Sequence, residues 1–235
     1  IIMELEEIRS KYADRRKTEI VPTEAEINEE DLIQEEDMVV TISHAGYIKR
    51  VPTSTYRAQR RGGKGKLGME AREEDWVTQL FVASTHAYVF FFSDRGKVYV
   101  KKVYEIPVAA RTSKGRAIVN FVGMEPGEKV AAIVEVPKIE AGKFVVTVTR
   151  RGQIKKTEVA DYSNFREKGI IGVKIEDGDT LLSAALTDGS REILVATKSG
   201  MSIRFPEEQV RKRGRATVGV QAIDVSEGGA VVGMV

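Results

Sequence analysis

The sequence has no cysteine, two histidines, six prolines and one tryptophan among 235 residues. Without cysteine there is no disulfide framework, no thiolate nucleophile and no thiolate metal site; the composition fits a reducing cytoplasm. The two histidines, His44 and His86, lie far apart and have no companion at metal-ligand spacing, so no metal site is expected. No run approaches the roughly 18 apolar residues that a membrane span needs. The acidic start, Ile1-Ile2-Met3-Glu4-Leu5-Glu6-Glu7, lacks the basic region of a signal peptide. A Walker A sequence is also missing. Gly63-Lys64-Gly65-Lys66-Leu67-Gly68 fits G-x-G-x-x-G, but no apolar strand precedes it, which argues against a dinucleotide site. Gly62 to Gly65 fits the G-x-x-G of a KH loop, yet no helices flank it. Asp177 and Asp179 around Gly178 read as a tight turn, because the other ligands of a calcium loop are missing. No nucleophile–base pair emerges, and no catalytic residue is assigned.

Charge is abundant and unevenly spread. The formal net charge is +2. Residues 1–37 hold 13 acids and 5 bases, whereas residues 38–235 hold 22 acids and 32 bases. An acidic leader thus precedes a basic body, the balance expected of a polyanion binder or of a module that meets acidic partners.

The leader divides in two. Ile1, Leu5, Ile8 and Tyr12 recur at helical spacing, and Glu7 and Lys11 form an i,i+4 pair, so a helix is expected from residue 1 to about 17. Residues 20–37 hold eight acids and no Lys or Arg and read as an acidic connector with a short ordered piece near Leu32-Ile33. The expected division is a helical segment over 1–20, a linker over 21–37 and a β domain over 38–235.

From Met38 onward the chain is written in strands and turns, and it repeats. A strand, a turn glycine and a second strand carrying bases recur four times. The instances are Met38–Ser43 with Gly46 to Arg50, Tyr88–Ser93 with Gly96 to Lys101, Phe144–Thr149 with Gly152 to Lys156, and Glu192–Thr197 with Gly200 to Arg204. The turn glycines lie 50, 56 and 48 residues apart. After each hairpin comes a basic, glycine-containing loop: Arg57 to Lys66, Arg111 to Arg116, Arg166 to Gly169 and Arg211 to Arg215. A further strand-like run follows, such as Lys129–Val134 or Thr180–Ala185. A period near 50 with about four strands predicts an all-β, propeller-like array of four-stranded blades, at about 38–86, 87–142, 143–190 and 191–235. Trp76 and Phe90-Phe91-Phe92 read as core. Tyr47, Tyr56, Tyr88, Tyr99 and Tyr104 read as blade packing or rim contacts.

Gln59-Arg60-Arg61-Gly62-Gly63-Lys64-Gly65 is the densest chemical signal, with three cations and three glycines in seven residues. Glycine lets backbone approach a phosphate closely, and Arg and Lys supply the opposite charge. The run matches the GyrA box at every position. Flanking matches are Gly46-Tyr47-Ile48-Lys49-Arg50 and Glu73-Glu74-Asp75-Trp76; Ser93 to Tyr99 and Ile175 to Asp179 resemble later blades. Tyr12 to Ile20 resembles the end of the gyrase A catalytic core. Over essentially its whole length the chain resembles the C-terminal domain family of DNA gyrase A.

That resemblance implies a β-pinwheel whose basic rim wraps double-stranded DNA without catalysis, in the bacterial cytoplasm with the nucleoid. The catalytic tyrosine lies outside this segment in the family. ATP and Mg are used by other domains, and gyrase B and a second gyrase A complete the enzyme; the isolated domain is expected to be a monomer. The family usually carries about six blades, so four suggest a truncated array. The expected DNA contacts in the first unit are Arg57, Gln59, Arg60, Arg61, Gly62, Gly63, Lys64, Gly65 and Lys66, with Lys49 and Arg50 on the adjoining strand. The second unit offers Lys101, Lys102, Arg111, Lys114 and Arg116. The third offers Arg150, Arg151, Lys155, Lys156, Arg166 and Lys168, and the fourth Lys198, Arg204, Arg211, Lys212, Arg213 and Arg215. The alternatives are a propeller-like protein-interaction module and the corresponding domain of topoisomerase IV, in which the box is generally degraded.

Overall fold

The computed structural model describes residues 1–15, 17–18, 29–56, 75–225 and 229–235. The chain forms two compact units, Ile1–Leu32 and Ile33–Val235. The first contains helix α1 (Ile2–Tyr12), shorter than expected, with a Lys11–Glu7 ion pair at 2.8 Å and no buried residue. A 3-10 turn occupies Glu29–Leu32.

Among its described residues the second unit is all β apart from short turns and the five-residue helix α2 (Ile118–Val122). Its strands fall into four antiparallel sheets. The first contains β1 (Asp37–Ser43), β2 (Tyr47–Pro52) and β3 (Val77–Ser84). The second contains β4 (Tyr88–Ser93), β5 (Lys97–Lys102) and β7 (Val130–Val136). The third contains β8 (Phe144–Thr149), β9 (Gln153–Glu158) and β11 (Leu181–Thr187). The fourth contains β12 (Glu192–Thr197), β13 (Ser202–Pro206) and β15 (Val231–Met234). This is the propeller-like series that the repeat predicted.

One expectation about the blade is corrected. Each of the first three sheets takes its fourth strand from the following repeat. The short strands β6 (Arg116–Ala117), β10 (Ile170–Ile171) and β14 (Val220–Gln221) pair with β2, β5 and β9 of the preceding unit. The fourth sheet has three strands among the described residues. Sequence spacing alone assigned each basic loop to its own blade; pairing sends it back one blade.

Burial follows the two-residue period of a strand covered on both faces. In β4, Phe91 packs with Met38, Val40, Ile42, Ile48 and Tyr99 between the first and second sheets. Phe90 and Phe92 pack instead with Val98, Val145, Tyr162 and Leu181 between the second and third. Val146, Val148, Ile154, Ile193, Val195 and Val231 close the third against the fourth. The expectation of core for the three phenylalanines holds. Trp76 does not share it: the residue is 54% exposed, its ring stacked on His44 at 3.9 Å.

Candidate nucleic-acid interface

The site is built where one repeat lends backbone to the one before it. The hairpin-glycine carbonyls of Gly46, Gly96 and Gly152 accept hydrogen bonds at 2.8 Å from the amides of Ile118, Gly172 and Ala222. Each donor lies just beyond the borrowed strand. Upstream of that strand the loop runs beside the second hairpin strand. Arg50 pairs in parallel with Val108, and Lys156 with Lys212. Glycine is required where the two segments touch. A Cβ on Gly115, whose φ is +83°, would lie 2.4 Å from the Ile48 carbonyl oxygen. One on Gly219 would lie 2.6 Å from that of Ile154.

These contacts set the true register of the loops. Gly115 and Gly219 occupy equivalent places, so Ala110 corresponds to Gly214 and Arg111 to Arg215. Matching Arg111–Arg116 to Arg211–Arg215 by composition alone is therefore four residues out of step. Counting from β10 in the same way aligns Gly169 with both glycines.

Lys49 and Lys155, third residues after their turn glycines, lie beneath these loops. The Lys49 ammonium donates to the carbonyls of Ala110 (3.2 Å), Ser113 (2.8 Å) and Arg111. The Lys155 ammonium donates to Gly172 (2.9 Å), Gly214 (3.4 Å) and Arg215. Their exposures are 0% and 1%. Burial, reinforced by the charge of Arg111, lowers the Lys49 pKa. Burial and then Arg215 bring that of Lys155 down to about 8, against a smaller opposing effect of Asp161. Tyr99 holds the equivalent place in the second repeat. Its ring lies under Gly169, and its hydroxyl donates to the buried Glu128 carboxylate at 2.5 Å.

The expected DNA contacts now separate. Lys49, Lys155 and Lys156 point into the protein and present no face to a phosphate. The Lys156 ammonium donates to the Glu207 carbonyl at 3.0 Å and lies 5.3 Å from the Phe144 ring centroid. Arg50 is half-buried, donating to Ile106 (2.6 Å) and Tyr104 (2.8 Å) carbonyls. Lys101 pairs with Glu105 at 2.8 Å, and Lys102 donates to the His86 carbonyl over the Tyr88 ring. These side chains brace the hairpin ends.

The cations on the borrowed segments are better placed. Arg116, Arg166, Lys168, Arg211, Lys212 and Arg213 are exposed. Lys114 is half-buried, its ammonium 3.8 Å from the Tyr47 ring centroid, and Arg111 is half-buried too. Lys212 pairs with Glu158 at 2.5 Å, and Arg213 donates to the Val218 carbonyl at 3.5 Å. Arg215 donates to the Ile171 carbonyl at 2.9 Å. Arg150 and Arg151 are exposed at the β8–β9 turn, the opposite end of that hairpin from Lys212; Arg151 also donates to the Asp177 carbonyl. Lys198 is exposed, and so is Arg204, paired with Glu192 at 3.0 Å. Arg57, Gln59, Arg60, Arg61, Gly62, Gly63, Lys64, Gly65 and Lys66 lie outside the described residues. Among the described residues no group of three or more His, Cys, Asp or Glu could hold a metal ion, and no helix is long and apolar enough to cross a membrane.

The four-fold repeat with interlocked sheets has a counterpart in known proteins. The family model of the DNA gyrase C-terminal domain, a beta-propeller, matches residues 37–84, 87–137, 143–188 and 191–235. The chain belongs to that family. DNA gyrase A of Clostridium acetobutylicum is 44% identical over 218 residues, 93% of this chain. The Escherichia coli protein of the same name is 44% identical over 225 residues, 96% of this chain. The chain spans 26% of the length of each. Among solved structures, a DNA gyrase A C-terminal domain superposes with a TM-score of 0.65 at 26% identity, covering 85% of this chain and 64% of that one. A C-terminal domain of DNA topoisomerase IV gives 0.74 at 25% identity, covering 86% and 61%.

The sequence named Lys49 and Lys155 as DNA contacts but did not reveal their burial. The signal was present: Lys49 and Lys155 share one position on the strand, opposite Thr41 and Thr147 of the hairpin partner.

Proposed function

We propose that this chain is a non-catalytic module that binds duplex DNA along its cationic loops and wraps it, as part of a type IIA topoisomerase of the gyrase kind. One observation carries the reading. Successive repeats each lend a segment to the outer edge of the preceding sheet, so cations from separate repeats recur along a single series of edges. Contacts spaced in this way suit a polyanion longer than one blade. Lys and Arg neutralise phosphates and release counterions, which gives strong, salt-sensitive binding with little base reading. Bending duplex over ~20–30 bp costs several kcal/mol, and only distributed contacts offset that.

The box residues Gln59 to Gly65, with Arg57 and Lys66, are proposed as the strongest contact. Counting back from Gly65 as from Gly115 and Gly219, Arg61 takes the place of Arg111 and Arg215 in sequence. The intact box and the 44% identity to gyrase A favour gyrase over topoisomerase IV. Gyrase B, a second gyrase A and a bacterial cytoplasmic setting belong to the same proposal.

The test is topological. The protein is bound to nicked circular plasmid, the nick is sealed, protein is removed and topoisomers are resolved. A shift in linking number supports wrapping. Tight, salt-sensitive binding with no shift reduces the function to DNA binding, and no binding turns the reading to a protein-interaction module.

A further inference from the structure

Two lysines buried beneath positively charged loops are electrostatically costly, because burial and like charge both disfavour the ammonium. The fold itself does not demand them, since Tyr99 fills the same position in the second repeat. What differs is the loop above. Residues 107–115 over Lys49 carry Arg111 and Lys114 and no acid, and Arg116 follows. Residues 211–219 over Lys155 carry Arg211, Lys212, Arg213 and Arg215 and no acid. Residues 161–169 over Tyr99 carry Asp161 and Glu167 beside Arg166 and Lys168. Lysine thus sits where the loop is wholly cationic and tyrosine where acids balance bases.

A cationic loop cannot be fastened by its own side chains without spending the charges. Its carbonyls remain available, and an ammonium offers three donors to gather them. Lys49 takes the carbonyls five, four and two residues before Gly115. Lys155 takes those five and four before Gly219 and adds Gly172, at the edge of the second sheet. Each lysine also leaves a positive charge under the loop, which adds to the field at the rim.

We propose that Lys49 and Lys155 are positioning residues for the polyanion contact: each buried ammonium holds the next repeat's cationic loop by its carbonyls, in register at the sheet edge, and leaves exposed loop cations such as Arg116, Arg211 and Arg213 for the ligand. This rests on the DNA-binding reading above. Neither lysine touches DNA.

The test compares the 235-residue chain with the double variant Lys49→Met, Lys155→Met and with Tyr99→Met. Binding to a mixed-sequence duplex is measured against salt, and amide exchange over 110–116 and 213–219 is followed without DNA. The double variant is expected to stay folded, to lose about tenfold in amide protection in both loops, and to flatten the salt slope by about 2 as loop contacts are lost. Tyr99→Met is expected to lower stability and leave the slope unchanged. An unchanged slope with unchanged loop protection in the folded double variant overturns the proposal. If the double variant does not fold, Lys155→Met alone serves, with protection lost only over 213–219 and about half the change in slope; failure of both singles to fold assigns the lysines to stability and overturns positioning. If the unaltered chain does not bind DNA, the reading of function falls, and the exchange data still decide whether the lysines hold the loops.

Discussion

Arg215 of the fourth repeat donates a hydrogen bond, at 2.9 Å, to the carbonyl of Ile171, a residue that the third repeat lends to the second sheet. Three units meet in that one contact. Lys155, from the third repeat, binds the carbonyls of Gly172 and Arg215 on either side of it. The neighbouring sheet edges are therefore laced together through the loop that carries the exposed charge, and disturbing the loop is expected to disturb binding more than it disturbs the core.

The box should dominate binding. Alanine at Arg60, Arg61 and Lys64 is expected to abolish the linking-number shift on sealed plasmid while the β-sheet circular dichroism stays unchanged. Full wrapping by the triple variant would sink the assignment of the box.

A single exposed rim cation should matter less and in a defined way. Arg116→Ala or Lys168→Ala is expected to weaken binding about equally for unrelated DNA sequences. Each lost phosphate contact reduces the salt slope by about 0.9. A change confined to one DNA sequence would instead indicate base reading.

Lys155 predicts a pH dependence of stability. In the folded chain its pKa lies near 8, below the ordinary 10.5, because burial and Arg215 disfavour the charge. Between those values the unfolded chain holds the proton that the folded chain has released, so this group's contribution to stability rises with pH. The unfolding free energy of the unaltered protein relative to Lys155→Met is expected to grow from about pH 7 to about pH 10, as read by denaturant titration. A constant difference would show that Lys155 keeps an ordinary pKa.

Packing and backbone predictions are separable. Phe91→Ala empties a fully buried site between the first two sheets and is expected to cost about 3–5 kcal/mol by denaturant unfolding. Gly115→Ala sets a Cβ 2.4 Å from the Ile48 carbonyl at positive φ, whereas Gly46→Ala, also at positive φ, meets nothing within 4 Å. The Gly115 variant should lose more stability and weaken the β2–β6 pairing; equal losses would mean that only the φ matters.

The sequence by itself determined the repeat, the hairpins, the core phenylalanines and the box, because each is written locally. Strand periodicity needs only neighbours two apart, and a turn glycine needs only its own φ. It could not decide which way a lysine points. A long aliphatic stem ending in an ammonium suits solvent or a buried ring of carbonyls equally well. For Lys49 those carbonyls belong to residues 61 to 64 positions away. The loan of a fourth strand to the preceding sheet and the four-residue offset of the last basic loop were settled in the same way. Each depends on which segment of a different repeat comes to rest against the edge, and that is fixed by tertiary packing between the sheets.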